Sequence, residues 1–363
     1  MKKNKQQQHH QSITVTGVSV GAFVFWLVQN ANISINPLRH VVWKIVWFLY
    51  QEPICMDFTK HQLYHHTNCI YSVAFHPNLP LVATGSGDQS TIIYNISISP
   101  PTVKYHFKHH TDGVWSIAFH PSLPFFATGS ADHSTILYNI SIVPPTVKYR
   151  LKHHTDWVRS VAFHPNSPVL ITGSADNSII LYDISTSPPT VQHCLKHHMS
   201  SVNSVAFHPS LPLFATGSWN KSIIIYDCTA SLPIIKQHIK HQTSIVRSVA
   251  FHPSLPLFAT GLKDNSTIIY DISTSQPTVK YNLKHHSNCV RSVAFHQSLP
   301  FFATCSVDNS TILYDISTSP PSIKYHFKDH TSYVMSVAFH PSLPLFMTGS
   351  ADQTIIIYNI YNL

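Results

Sequence analysis

Hydrophobic and polar residues follow each other along this chain in short bursts, and no segment shows the spacing of a helix face. From Val158 to Phe163 the residues alternate and include β-branched types, which predicts a strand. His164-Pro165-Asn166-Ser167-Pro168 then interrupts it with residues suited to a turn. Val169–Gly173 predicts a second strand, Ser174–Asn177 a tight turn, and Ser178–Ile184 a third strand. After the loop Thr186-Ser187-Pro188-Pro189, Thr190–Leu195 predicts a fourth. Inner runs such as Ile223-Ile224-Ile225 are continuously apolar, as expected of strands covered on both faces. The outer strand differs. In its first occurrence Val103, Tyr105 and Phe107 are predicted on one face, with Lys104, His106 and Lys108 on the other. Lysines there would discourage edge-to-edge association.

The whole pattern recurs. Ser-Val-Ala-Phe-His begins at Ser72, Ser116, Ser160, Ser204, Ser248, Ser292 and Ser336, each 44 residues after the last. The only changes are Ile117 for Val and, just after the marker, Gln297 for Pro. A fixed period of this size predicts an all-β, seven-bladed β-propeller of four-stranded antiparallel blades over residues 56–363. The last unit stops after its third strand, while Phe58–Tyr64 aligns with the fourth-strand positions Thr102–Lys108. Residues 57–64 are therefore expected to pair with residues 354–360, completing the last blade and leaving no free edge.

Residues 1–55 stand outside the repeat. A polar start with Lys2, Lys3, Lys5 and a Gln/His run predicts disorder over residues 1–12. Ile13–Val28 is apolar but diluted by Thr14, Thr16, Gly17, Ser19 and Gly21, and Val41–Tyr50 is a second apolar patch interrupted by Lys44. A membrane span needs about 20 residues. Three readings stay open: a membrane anchor through residues 13–28, a segment packed on the propeller or left unordered, and a cleaved signal. Met56 is a candidate alternative start, since seven whole units follow it.

The chain has 363 residues, a net charge of +8 and only 10% charged residues, so most of its polarity comes from Ser, Thr, Asn and 28 histidines. Cys55, Cys69, Cys194, Cys228, Cys289 and Cys305 share no spacing and form no Cys-x-x-Cys pair, which speaks against a disulfide framework or a structural zinc site. Scattered free thiols fit a reducing, cytoplasmic compartment. No glycine-rich phosphate loop, paired-carboxylate motif or Cys/His nucleophile pattern occurs. The Phe-His-Pro histidines (His76, His120, His164, His208, His252, His296 in Phe-His-Gln, and His340) are expected to form a ring at the end opposite the variable loops, too far apart to share a metal. No cofactor, metal or enzymatic activity is expected.

His154-Thr155-Asp156 leading into the marker, then Ile171-Thr172-Gly173-Ser174-Ala175-Asp176, then Ile180-Leu181-Tyr182-Asp183, resembles the WD-repeat β-propeller family in all seven units. In that family a Gly-His pair opens each repeat, Trp-Asp closes the third strand, and a hydrogen-bonded set of His, Ser/Thr, Asp and Trp stiffens each blade. The resemblance implies the set His154, Thr172, Asp176 and Tyr182 in unit three, and His110, Thr128, Asp132 and Tyr138 in unit two. This chain departs from the pattern: His replaces the Gly in six units and Asp329 in the seventh, while Tyr replaces Trp throughout. Tyrosine can donate a hydrogen bond, though from a different reach. Asn220 stands where Asp is expected and Gln242 where His is expected, so blades four and five are expected to be the softest.

Three positions per unit vary. One reads Cys69, Gly113, Trp157, Ser201, Ile245, Cys289, Tyr333; the second Tyr71, Trp115, Arg159, Asn203, Arg247, Arg291, Met335; the third Gly87, Ala131, Ala175, Trp219, Lys263, Val307, Ala351. All three are predicted at one end of the ring, around the mouth of the central channel. Matching positions in the resembling family contact protein partners, and Trp, Tyr and Arg are common interface anchors. Tyr71, Trp115 and Trp157 form a predicted aromatic sector, and Arg159, Arg247, Lys263 and Arg291 a basic arc that an acidic or phosphorylated peptide could bridge. With Trp219 and Tyr333, these are the candidate partner-binding residues. The expected function is a non-enzymatic scaffold, a monomeric propeller within a complex. The competing reading is a nucleic-acid or anionic-surface binder using the same arc, which no run of clustered basic residues supports.

Overall fold

The computed structural model describes residues 60–240, 244–274 and 276–362. The N-terminal segment, including the apolar stretch 13–28, lies outside the described residues, as do residues 57–59 and Gln242. Among the described residues no helix is long and apolar enough to cross a membrane.

Among the described residues, twenty-eight strands form seven four-stranded antiparallel sheets. Blade three shows the plan: Val158–Phe163, Val169–Ser174, Ile179–Asp183 and Thr190–Leu195, in that order from the axis outward. The expected boundaries hold within a residue. The first strands of successive blades touch one another around the whole ring, blade seven meeting blade one, which places them at the axis. Closure is as expected: Lys60–Leu63 lies outside Ile355–Asn359 as the fourth strand of blade seven, with Lys60 opposite Tyr358 and Leu63 opposite Ile355. Lys60 Nζ also reaches Asp329 at 2.6 Å.

The core lies between blades. Phe125, Leu137 and Leu151 of blade two pack against Val158, Val161, Leu170 and Ile180 of blade three, and Leu345, Met347 and Ile357 of blade seven pack in the same way on Ile70, Val73 and Val82 of blade one. Each sheet is thus buried on both faces, the reason its middle strands read as unbroken apolar runs. Glycine lets the sheets come this close. A Cβ at Gly173 would stand 2.8 Å from Val202 Cγ1 of the next blade.

Two features depart from strict alternation. In the first strand of every blade the register shifts by one residue, as between Val158 and Ser160, leaving Arg159 without a cross-strand partner. Such a bulge turns a side chain away from the pleat. Val158 and Val161 are both buried although three positions apart. In the outer strand a second shift falls at Lys104, between the Tyr94–Val103 and Ile93–Tyr105 pairs. It breaks the predicted common face: Phe107 is buried and Tyr105 half-buried, whereas Val103 is exposed.

Candidate functional site

Each blade is pinned where its loops leave the sheet. In blade three Asp176 Oδ2 lies 2.8 Å from His154 Nδ1, and Thr172 Oγ1 lies 2.7 Å from Nε2. The ring thus bridges the turn carboxylate and the second-strand threonine, whose hydroxyl donates to the Ile180 carbonyl at 3.4 Å. Burial alone would raise the Asp176 carboxyl, but hydrogen bonds from His154, Ser178 and the Thr155 N–H hold it well below the usual carboxylate range. Blade two repeats this with His110, Asp132 and Thr128 at 2.8 and 2.7 Å. Sequence reasoning missed one member, Ser178, whose hydroxyl donates to Asp176 at 2.6 Å. Its signal was available, since Ser or Thr follows the turn Asp or Asn by two residues in all seven copies.

Four of the tyrosines gain a partner beyond the set the resemblance implied. Tyr138 Oη is 3.3 Å from His109 Nδ1, Tyr226 Oη 3.1 Å from His197, and Tyr314 Oη 3.1 Å from His285. In blade seven Tyr358 donates to Asp329 at 3.0 Å. These partners occupy the position where the resembling family carries Gly. The two departures therefore belong together: a shorter aromatic side chain is met by a longer residue where the glycine would be. Tyr182 remains beside Thr172, its phenol raised by burial, with Thr172 opposing.

The blades with a broken pattern are rewired. In blade four Asn220 still accepts from Ser222 at 2.6 Å, and His198 keeps Thr216 at 2.8 Å, but no carboxylate is present. In blade five Leu262 replaces the serine that caps the turn elsewhere, and Ser244 accepts the Asp264 N–H in its place at 2.9 Å.

Two closed circuits tie the blades together. The marker serine of each blade accepts the backbone N–H of the Val or Ile in the next: Ser72 from Ile117 at 3.0 Å, Ser160 from Val205 at 3.0 Å, and Ser336 from Val73 at 3.3 Å to close the circle. At the far end of the same strands, His76 Nδ1 accepts from the Asn78 and Leu79 N–H groups at 3.1 and 2.9 Å. Its ring lies on Phe119 of the next blade, and so on around to His340 on Phe75. Burial pushes His76, His120 and His340 down to about 4. These histidines are neutral structural pieces. Among the described residues no group of three or more His, Cys, Asp or Glu is placed to hold a metal.

The variable positions converge at the opposite end. The N–H of the third variable residue donates to the carbonyl of the first in every blade, as in Ala175 to Trp157 at 2.8 Å and Trp219 to Ser201 at 2.9 Å. The second variable residue is the bulge residue. Tyr71 and Trp115 stack with centroids 4.2 Å apart and planes within 9°, and Trp115 continues onto Trp157 at 5.6 Å. Arg159 Cζ lies 5.2 Å from the Trp115 ring, 5.1 Å from Trp157 and 5.4 Å from Trp219, and Arg247 Cζ lies 5.2 Å from Trp219. The expected separation into aromatic sector and basic arc is not what the structure shows. The bulge aims Arg159 inward, so its guanidinium inserts among indoles from blades two, three and four.

Arg291 completes the group electrostatically. Burial pushes the Cys69 thiol up to about 12, with the Arg291 charge opposing from blade six. Burial, and then the charges of Arg247 and Arg291, pull Arg159 below its ordinary value. Trp157, Trp219 and Tyr333 remain 38%, 39% and 51% exposed, enough to meet a partner. Lys263 is also exposed at the rim. Asn203 turns aside and donates to the Val246 carbonyl at 2.7 Å.

A closed seven-bladed propeller with an invariant hydrogen-bonded frame and one variable, aromatic-rich end defines a class of interaction platform. The chain belongs to the WD-repeat family: the model for the WD domain, G-beta repeat, matches residues 58–95, 101–139, 145–183, 189–227, 232–271, 277–315 and 321–359, one match per blade. Propellers of this family generally serve as protein-interaction scaffolds and are typically non-enzymatic. A comparison with curated proteins finds no significant match.

Proposed function

We propose that this protein is a non-enzymatic scaffold that binds a partner protein or peptide at the variable end of its propeller. The observation that carries this reading is the continuous layer from Tyr71 through Trp115, Trp157, Arg159 and Trp219 to Arg247, built from positions that vary among the blades while the frame does not. Large aromatic and arginine side chains held half-buried at the centre of a surface are what binding hot spots require. The rigid frame beneath fixes their geometry before a partner arrives, which lowers the entropic cost of association. Free thiols at Cys69, Cys194, Cys228, Cys289 and Cys305 fit action in the cytoplasm.

The test is quantitative affinity purification with Trp157→Ala/Trp219→Ala/Tyr333→Ala, using Val103→Ala/Val147→Ala on the outer strands as the control. Specific partners should fall at least tenfold with the first variant and persist with the second. An unchanged partner set with the first variant would remove this end from consideration. Binding to nucleic acid through the same arginines is the competing reading. It predicts affinity that falls steeply with salt, which an aromatic-anchored site would not show.

A further inference from the structure

The arginines of the variable layer have no counter-charge. Ion pairs among the described residues join Lys60 to Asp329, Arg150 to Asp132, and five histidines to their turn aspartates; none includes Arg159, Arg247 or Arg291. The Nε atoms of Arg159 and Arg247 are buried without any hydrogen-bond partner. The acidic group that acts on Arg159 is Asp156, which forms no ion pair with it and accepts the Trp157 N–H at Oδ1 at 2.7 Å. The other buried side-chain atoms without a partner among the described residues, Thr91 Oγ1, Tyr94 Oη and His120 Nε2 among them, belong to neutral groups, whereas these two belong to cations. Leaving a buried N–H of a charged group unpaired is costly, and the like charge of Arg291 from blade six adds to the repulsion between Arg159 and Arg247.

The indole rings explain how the arrangement persists. They hold the Arg159 and Arg247 guanidiniums by their faces, which leaves the planar N–H edges unused. An edge of that kind is the part of arginine that matches a tetrahedral or carboxylate anion. Three convergent positive charges favour a dianion with three acceptor oxygens over a carboxylate, which carries one charge and two oxygens.

We propose that Arg159, Arg247 and Arg291 form a binding site for a phosphomonoester group at the axial end of the channel, flanked by Trp115, Trp157 and Trp219. The proposal rests on the reading of this end as a binding face and names the chemistry bound there. The group is supplied by a phosphorylated side chain of the partner, whose neighbouring residues lie against the exposed Trp157 and Trp219 rings.

Three of the six tryptophans, Trp115, Trp157 and Trp219, belong to this cluster, so intrinsic fluorescence reports on it once Trp26, Trp43 and Trp47 are replaced by phenylalanine in every variant compared. The full-length protein is titrated with O-phosphoserine, inorganic phosphate and N-acetylglutamate, with ionic strength held constant by sodium chloride. O-Phosphoserine should give a saturable change, and Arg159→Gln/Arg247→Gln/Arg291→Gln should weaken it at least tenfold while circular dichroism stays that of the wild type. Arg159→Lys, which keeps the charge but loses the planar edge, should give an intermediate loss and guards against a folding defect in the triple variant. Tighter binding of O-phosphoserine than of inorganic phosphate supports a partner side chain as the source; equal binding supports the site with free phosphate as its ligand. No saturable response, an unaltered response in the triple variant, or equally tight binding of N-acetylglutamate overturns the proposal. Because the titration uses no partner protein, loss of partners in the Trp157/Trp219/Tyr333 variant can still establish the scaffold when the anion site fails, and the reverse.

Discussion

Ser160 and Arg159 are neighbours in one strand and obey opposite rules. Ser160 is the same in every blade and has its partner, the Val205 N–H of the next blade. Arg159 changes from blade to blade, occupies a bulge, and has a buried Nε with no partner. The contrast extends to whole regions. The frame, made of marker serines, ring-stacked histidines and turn aspartates, spends its polar groups on the propeller itself. The axial layer spends none of its cations there. Under the proposed function, stability and recognition fall to neighbouring residues of the same strands, so either could change with little effect on the other.

The largest test of the frame is pH. His76, His120 and His340 are held near 4 against an ordinary value of 6.5, and His164, His208, His252 and His296 are lowered too, in each case chiefly by burial. A folded-state value below the unfolded one means that the unfolded chain takes up protons first as pH falls. The stabilisation is complete above pH 6.5 and is lost as pH falls from 6.5 towards 4. For the three most shifted groups the loss is about 3 kcal/mol each. Urea midpoints measured from pH 7.5 to 4.5 should drop steeply; a flat profile would show that these rings are not buried neutral.

Next in size is the turn set. Asp176→Ala strands His154 Nδ1, Ser178 and the Thr155 N–H together, and should cost about 3 kcal/mol in equilibrium unfolding. Asn220→Asp should do the reverse in blade four and gain about 1 kcal/mol by restoring a carboxylate opposite His198. Before that repair, amide exchange followed by mass spectrometry should be faster in blades four and five than in blades one to three. Equal protection would mean that the rewired turns hold as well as the originals. The smallest effect belongs to the axial layer: Tyr333→Ala should leave stability within about 0.5 kcal/mol, because its exposed ring supports nothing beneath it.

Much of this was legible in the residues. A 44-residue period and turn-forming residues at fixed offsets located the strands of every blade, and the incomplete last unit required Lys60–Leu63 to return to it. The mixing of tryptophan with arginine is not legible from simple alternation across Val158-Arg159-Ser160-Val161. The clue lay in the spacing: Val158, Val161 and Phe163 are three and then two apart, and the extra residue is the bulge that swings Arg159 inward. The added partners of the tyrosine hydroxyls are hidden in the sequence for a related reason. Two substitutions far apart in each unit, His109 and Tyr138 for example, acquire meaning only when the fold brings them within 3.3 Å.

The return of Lys60–Leu63 to the last blade also sets an order of events. Lys60 and its partner Asp329 are separated by 269 positions, so during synthesis the first strand of the propeller emerges long before anything exists for it to pair with. Until the final strand leaves the ribosome, blade seven has an open edge and blade one has no neighbour on one side. The nascent chain must carry the unpaired first strand and the uncovered side of blade one for most of its synthesis. For a cell, the vulnerable period of this protein is therefore its birth, and a chain cut short anywhere before residue 355 should be recognised by chaperones as an unclosed ring.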